Sequence, residues 1–255
     1  MWKKISLVVL VAFIALTAVS QVEARKNGTV VLTFDDVRKN VYTNAVPILD
    51  ELGFKATFFP ATSWMNELEY MTEEQIKKLF DEGNEIGCHT RNHISPLELD
   101  YDGLVDEIEG ARADLEAIGV TMSKSFAAPF GEYNPAVIAQ LMVDGVINCN
   151  RHAFQGDGLA FNKPKTFNPV EVIVVSVRSY TSLNWLRRLV SKAGDRGWIL
   201  VLVFHGDDKV PADEYDMRHR NFTRLMYHIN WWANEKSGPR IDVLTLAQAI
   251  EKYKR

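Results

Sequence analysis

Three short polar segments carry residue types that do chemistry. Asp35-Asp36 follows Thr33-Phe34. His89 and His93 stand four apart in His89-Thr90-Arg91-Asn92-His93. His205 follows the apolar run Leu202-Val203-Phe204 and leads into Asp207-Asp208. Two imidazoles and one carboxylate form a donor set for a divalent metal that leaves positions open for water and substrate. A further carboxylate and a further imidazole beside such a set supply a base and an acid for hydrolysis. Each piece alone is ordinary. Adjacent aspartates usually mark a turn or a helix cap, a His-x-x-x-His pair often arises by chance, and a His after an apolar strand is most often a hydrogen-bonded structural residue. Their common position, at the C-terminal end of a strand-like run, sets them apart.

The elements that must hold these residues alternate between strand and helix. Strand-like runs are expected at Thr29–Phe34, Ala56–Phe59, Glu85–His89, Ser125–Ala128, Val146–Cys149, Val170–Val177, Trp198–Phe204 and Ile241–Leu244. Helices are expected at Val46–Leu52, from the Thr72-Glu73-Glu74-Gln75 capping box to Asp81, and at Asp100–Ile118, where Leu104, Ile108, Ala111, Leu115 and Ile118 form one stripe. Others follow from Asn134-Pro135 to Val143, at Leu183–Lys192, at about Asp216–Asn234 and at the C-terminus. Repeated βα units with apolar strands predict a parallel sheet with helices outside. The count favours a barrel of seven or eight strands, and barrels place chemistry at strand C-termini.

Length and composition agree with one folded domain. The 255 residues are 24% charged and 47% hydrophobic, which excludes a disordered chain and a multi-spanning membrane protein. The formal charge of −4 provides no basic footprint, so nucleic acid is not an expected partner. Met1-Trp2-Lys3-Lys4, the uncharged run Ile5–Val19 and the small-residue sites near Ser20 and Ala24 form the pattern of a secretory signal peptide over residues 1–24. The expected domain is then 25–255, located in the cell envelope or outside the cell. Cys88 and Cys149 fall on strands expected to have one strand between them. That places them roughly 10 Å apart at about 4.8 Å per strand, beyond the ~7 Å a disulfide spans, so two buried free thiols are expected.

With Pro129-Phe130-Gly131 added, these segments in their order resemble the motifs of the NodB-homology polysaccharide deacetylases, carbohydrate esterase family 4. The resemblance runs from about Thr29 to Leu246. It implies an irregular (β/α)7-type barrel in a single domain. It implies that Asp36, His89 and His93 hold a divalent metal, usually zinc, with cobalt or nickel also suited to the donors. Asp35 then matches the general base and His205 the general acid that protonates the departing amine. Pro129-Phe130-Gly131 matches the segment whose backbone N–H helps hold the oxyanion, and Tyr133 would border the groove. The implied reaction removes N-acetyl groups from an N-acetylglucosamine-containing polysaccharide and releases acetate.

Two departures from the family pattern stand out. The third motif commonly begins with Arg, where this chain has Ala127. The Asp-Trp of the fourth motif is missing from Val146–Phe154. That Arg and that Asp orient the base in the family, and their joint loss avoids leaving one buried charge alone. The Phe126–Gly131 form is similar to that of bacterial poly-N-acetylglucosamine deacetylases. Arg91, Asn150 and Arg151 are the candidates for positioning Asp35 here. Trp64, Trp185, Trp231 and Trp232 are read mainly as core, and His152, His219 and His228 receive no role. Rival readings are an O-acetyl esterase on a xylan-like polysaccharide, a small cyclic-amide hydrolase, and a glycan-binding barrel without turnover.

Overall fold

A computed structural model describes residues 27–153, 160–234 and 240–254. The expected signal peptide, residues 1–24, and Phe154 lie outside the described residues. β1 (Gly28–Asp35) is buried along its whole length, as its unbroken Thr/Val/Leu/Phe run requires of a strand covered on both faces. It pairs in parallel with β7 (Ile199–Phe204) on one edge. The other edge is shared. β2 (Thr57–Phe59) takes Thr33–Asp35, and β10 (Ile241–Leu244) takes Gly28–Val31. β3 (Glu85–Ile86) adds to β2.

The ring closes through short pairings that no continuous ladder records. After β3 the chain runs on to Cys88, which changes partner and bonds to β4 (Ser125–Ala127): Cys88 N–H donates to Ser125 O and Ala127 N–H to Cys88 O, both at 2.9 Å. β4 pairs with β5 (Cys149–Arg151). β5 pairs at Arg151 with Val172. A few residues on, β6 (Val175–Ser176) pairs with β7. Seven strand segments thus close a barrel of uneven strand length, with all of these pairings parallel.

The helices follow local signals closely. α1 (Val46–Leu52) ends at Gly53, whose left-handed φ of +67° terminates it. α2 (Glu73–Asp81) has both hydrogen bonds of the Thr72/Gln75 capping box. α3 (Tyr101–Ala117) buries Leu104, Ile108, Ala111 and Leu115 and is capped by Asp100. α4 (Pro135–Val143) starts at Asn134, α5 (Leu183–Arg196) at Ser182, and α6 (His219–Ala233) and α7 (Leu246–Tyr253) follow. β1 begins so close to α5 that a Cβ on Gly28 would sit 2.3 Å from Ala193 O. No helix among the described residues is long and apolar enough to cross a membrane.

Side chains alternate along β1. Val30, Leu32 and Phe34 join the large core under the helices, whereas Val31 joins a second core with Phe59, Ala127, Cys149, Val201 and Val203 inside the barrel. α7 adds Leu246, Ala249 and Ile250 to this inner core. Its first turn is held by buried Glu85, which accepts from Ala247 N–H, Thr57 Oγ1 and Ser123 Oγ. A carboxylate there is favoured by the helix N-terminus.

Three expected elements moved. The strand expected at Val146–Cys149 is Cys149–Arg151. Val146 N–H bonds back to Leu141 O beyond Gly145 at φ +73°, so the first apolar residues finish the exit from α4. Asp216–Arg218, expected as helix, is β9 and pairs with β8 (Gly206–Asp208), so α6 starts at His219. Val170–Val177 pairs only at Val172 and over β6. Cys88 and Cys149 are buried free thiols on either side of β4, and burial pushes both up to about 12.

Candidate active site

Asp35 and Asp36 are sequence neighbours, and in a continuous strand they would face opposite ways. Asp35 continues the inward set of β1. Asp36 then takes φ +62° and Val37 φ +52°, and this left-handed turn brings the second carboxylate to the same cavity. His93 at +57°, Thr90 at +59° and Phe130 at +59° repeat the device on two neighbouring loops. Each such residue costs about 1–2 kcal/mol, and this strain gathers where polar side chains converge.

Asp36, His89 and His93 offer ligand atoms that all lie within 4.8 Å of one another. Asp36 Oδ1 is 3.4 Å from His89 Nε2 and 3.3 Å from His93 Nε2. It is buried and has no hydrogen-bond partner. His89 donates its Nδ1–H to Ala127 O at 2.6 Å, which leaves its Nε2 with a lone pair toward Asp36. A carboxylate oxygen and imidazole nitrogens aimed at one point fit a divalent cation. Burial alone would raise the Asp36 carboxyl, but the two imidazoles outweigh it and hold Asp36 well below the usual range. The His93 ring is held by Trp64 at 4.5 Å and, edge-on, by Phe130 at 4.7 Å.

The loop that carries the two histidines is clamped from α3. Glu107 accepts the backbone N–H groups of Arg91 and Asn92 at 3.0 and 2.8 Å, and the Asn92 amide at 2.7 Å. Arg91 forks onto Asp114 with two bonds of 2.9 Å. Sequence reasoning missed both acids. The available signal was their spacing of seven on α3, which puts them on one face.

Asp35 is held by Arg151, whose Nη2 donates to Oδ1 at 2.5 Å with both side chains buried. The three candidates therefore separate. Arg91 is committed to Asp114, Asn150 donates to Val170 O, and Arg151 alone reaches Asp35. Arg151 is the register partner of Ala127, where the family pattern has its arginine. The guanidinium has moved one strand sideways at the same level.

His205 follows Phe204, the register partner of Phe34, so its Nε2 lies beside Asp35, 3.8 Å from Oδ2, on the same cavity. His205 Nδ1 is buried without a partner. Burial is the main reason His205 sits below the ordinary imidazole value, with Asp35 and Asp36 pulling the other way. His205, the three candidate ligands and Asp35 line one cavity of about 240 Å³. Arg38, Arg178 and Tyr215 also line it and were not anticipated. Arg38 and Arg178 do follow strand ends, whereas nothing local marks Tyr215.

Other expected positions lie differently. Phe130 lines the cavity, while Pro129, Gly131 and Tyr133 are not among its lining residues. Tyr133 meets His152 edge-on at 5.5 Å, and burial, with Glu171 nearby, pushes its phenol up to about 12. His219 bonds to buried Asp207 at 2.8 Å, and His228 to Arg187 O at 3.3 Å. Trp232 packs on Gly194, and Trp231 is exposed.

Comparison with known proteins agrees with this arrangement. Residues 23–146 match the family model of the polysaccharide deacetylases. YxkH of Bacillus subtilis is 29% identical over 105 residues, 41% of this chain and 38% of that protein. A chitin deacetylase of Arthroderma benhamiae is 36% identical over 87 residues, 32% of this chain and 22% of that one. The matches thus span well under half the length of these relatives. In fold, the chain is similar to the Xyl-CE4 domain of a multidomain xylanase from the hindgut metagenome of Trinervitermes trinervoides. The TM-score is 0.59 at 16% identity, over 89% of this chain and 91% of that one. The matched segment, just under half of the chain, carries Asp35, Asp36, His89, His93 and Pro129–Gly131, and through it the chain is similar to the polysaccharide deacetylase family.

Proposed function

We propose that this protein is a metal-dependent hydrolase that removes N-acetyl groups from an N-acetylglucosamine-containing polysaccharide outside the cytoplasmic membrane. The observation that carries this reading is the placement of Asp35 and His205 on the same cavity as Asp36, His89 and His93. Asp36, His89 and His93 would hold the metal, with zinc favoured by a donor set of two imidazoles and one carboxylate. When bound, such an ion supplies an acidified water and a polarised acetyl carbonyl.

The chain's own groups do the rest. Asp35, tethered through one oxygen by Arg151, uses the other to take a proton from the attacking water. Pro129 has no N–H and Gly131 gives its own to Ala128 O, so the Phe130 N–H remains for the developing oxyanion. His205 stands beside Asp35 on the neighbouring strand β7 and protonates the leaving amine. Products are acetate and a free amino sugar. The hydrophobic N-terminal run supports a secreted or envelope location, where such glycans are found.

A specific observation favours a second reading. His205 Nδ1 has no partner to stabilise the imidazolium, and burial disfavours that form. An amide needs its leaving group protonated, while an ester alkoxide is less demanding. O-acetyl groups on a polysaccharide are the corresponding substrate.

The test is acetate release by the metal-stripped protein resupplied with zinc. N-acetylglucosamine oligomers and O-acetylated xylan run in parallel, beside Asp35→Asn and His205→Ala. Zinc-dependent release from the oligomers, falling about 10²–10⁴-fold in both variants, is expected. Release from the xylan alone would establish the ester reading instead. No release from either would overturn both.

A further inference from the structure

Several segments meet at the end of the barrel opposite the candidate active site. Gly28 opens β1 against Ala193 of α5, and its N–H donates to Arg240 O at 2.7 Å. Trp198, just before β7, donates its N–H to Ala193 O at 3.0 Å. Gly194 packs on Trp232 at the end of α6, and Arg240 N–H returns to Trp232 O at 3.2 Å. Asp35 closes β1 at its other end, roughly 23 Å away at about 3.3 Å per residue.

This corner gathers cations on aromatic rings. Lys163, Lys192 and Arg196 lie over the Trp198 ring at 5.3, 5.5 and 5.9 Å, and Lys192 also reaches the Phe161 ring at 5.5 Å. All three cations are exposed. Trp231, 55% exposed, meets Trp232 edge-on at 5.3 Å. In sequence, Arg25 and Lys26 bring two further cations to the chain just ahead of β1. Asp195, between Lys192 and Arg196 in the chain, offsets one charge. Positive charge is thus concentrated here on a chain whose formal charge is −4.

Tryptophan beside exposed Lys and Arg is the composition that settles at a bilayer interface. The indole sits at headgroup depth, and the cations reach the phosphates. Anionic headgroups attract each such cation, so charge and amphipathic shape match together. The place where the chain enters the barrel points the same way. Eight residues separate Val19, the end of the uncharged N-terminal run, from Gly28. Eight residues reach at most about 29 Å, so the run delivers the domain to a membrane with this corner toward the lipid.

We propose that this corner rests on the surface of a bilayer containing anionic phospholipid. Lys163, Lys192 and Arg196 meet the headgroups, and Trp231 enters the interface. The barrel then holds its strand C-termini, and the candidate active site with them, away from the lipid. The proposal does not rest on the deacetylase reading, and its test measures no acetate.

The test is cosedimentation of the protein, as exported and processed by the expressing host, with sucrose-loaded vesicles. One set is phosphatidylcholine alone, and the other is phosphatidylcholine mixed with phosphatidylglycerol. Wild type is compared with Lys192→Gln/Arg196→Gln. The control is Arg220→Gln/Arg224→Gln, an equal charge change at exposed positions in the first turns of α6, at the other end of that helix. Partitioning onto the anionic vesicles is expected to fall about 25-fold in the first pair, roughly fivefold per cation, and to hold in the control. A second readout is quenching of tryptophan by brominated acyl chains in the anionic vesicles, expected in wild type and reduced in Trp231→Phe. An equal fall in both double variants would reduce the effect to overall charge and overturn the proposal. Wild type left unbound by both vesicle sets, or captured by soluble polyphosphate but not by lipid, would overturn it as well. If a retained N-terminal run holds the protein on every vesicle, the quenching decides: the same quenching in wild type and Trp231→Phe rejects the proposal.

Discussion

Arg151 and Asp35 meet with side chains 0% and 1% exposed. At that depth neither charge has water to fall back on, and removing one partner leaves the other uncompensated. Such a loss costs about 3–5 kcal/mol. Arg151→Ala is therefore expected to lower the unfolding midpoint in denaturant and to cut acetate release by about 100-fold. Ala127 lies beside Arg151 in the β4–β5 ladder and also faces the barrel interior. Adding Ala127→Arg to Arg151→Ala should recover part of both losses, because the guanidinium returns to the same level from the next strand. A double variant no better than the single would show that only β5 can supply it. The metal-ligand types and spacing at Asp36, His89 and His93 were legible in the sequence because they lie in two short segments. The partner of Asp35 was not. Arg91, Asn150 and Arg151 were equivalent until the register of β5 put only Arg151 beside Asp35.

At the scale of elements, the histidine loop has little regular structure of its own and borrows order from α3 through Glu107. Glu107→Ala removes three acceptor contacts to Arg91 and Asn92. It is expected to weaken zinc binding about 10–100-fold, as loss of an outer-shell support does. Circular dichroism should remain native, and a competition titration with a chromogenic chelator checks the affinity. The pairing of β8 with β9 carries a different signature. Burial raises Asp207 to about 6, with His219 pulling it down. The unfolded value is near 3.9, so between about pH 4 and 6 the folded state binds more protons than the unfolded one. Stability contributed by this group then falls as pH rises through that window. Relative to wild type, Asp207→Asn should gain on the order of 2 kcal/mol more at pH 7 than at pH 4.5. Calorimetry at the two pH values checks it, and a difference independent of pH would contradict it. Helix starts with caps were read almost to the residue, since Thr72, Asp100, Asn134 and Ser182 act on their own first turns, whereas α5 runs past the expected Lys192 to Arg196. Strand ends were read less well. Val146–Asn148 is apolar enough for a strand but spends that character on leaving α4.

At the scale of the molecule, the barrel brings together a carboxylate near residue 36 and imidazoles near 90 and 205, above an inner core of apolar side chains that includes none of the three candidate ligands. Zinc should therefore add stability without being required for folding. At free zinc about 100 times Kd, the gain is ~2.7 kcal/mol, or several degrees in Tm for a chain of this size. Differential scanning fluorimetry with and without a chelator should show that shift in wild type and lose it in Asp36→Ala. A chelated protein that no longer unfolds cooperatively would mean the ion is structural.

The sequence by itself determined the alternation of elements, the helix caps, the order of the motifs and the identity of the candidate ligands, because each depends on residues close along the chain. Burial of both cysteines followed from the same strand pattern. Only the tertiary structure decided how the ring closes, at Cys88 and Val172, since single bridges between distant segments leave no periodic trace. It also decided that Asp36 turns by a left-handed step to join Asp35, that Arg151 takes the place vacated at Ala127, and that Tyr215 walls the cavity. Those outcomes depend on register and packing between separate segments, from 21 residues apart at Arg151 and Val172 to 116 at Asp35 and Arg151, where local propensity has no say.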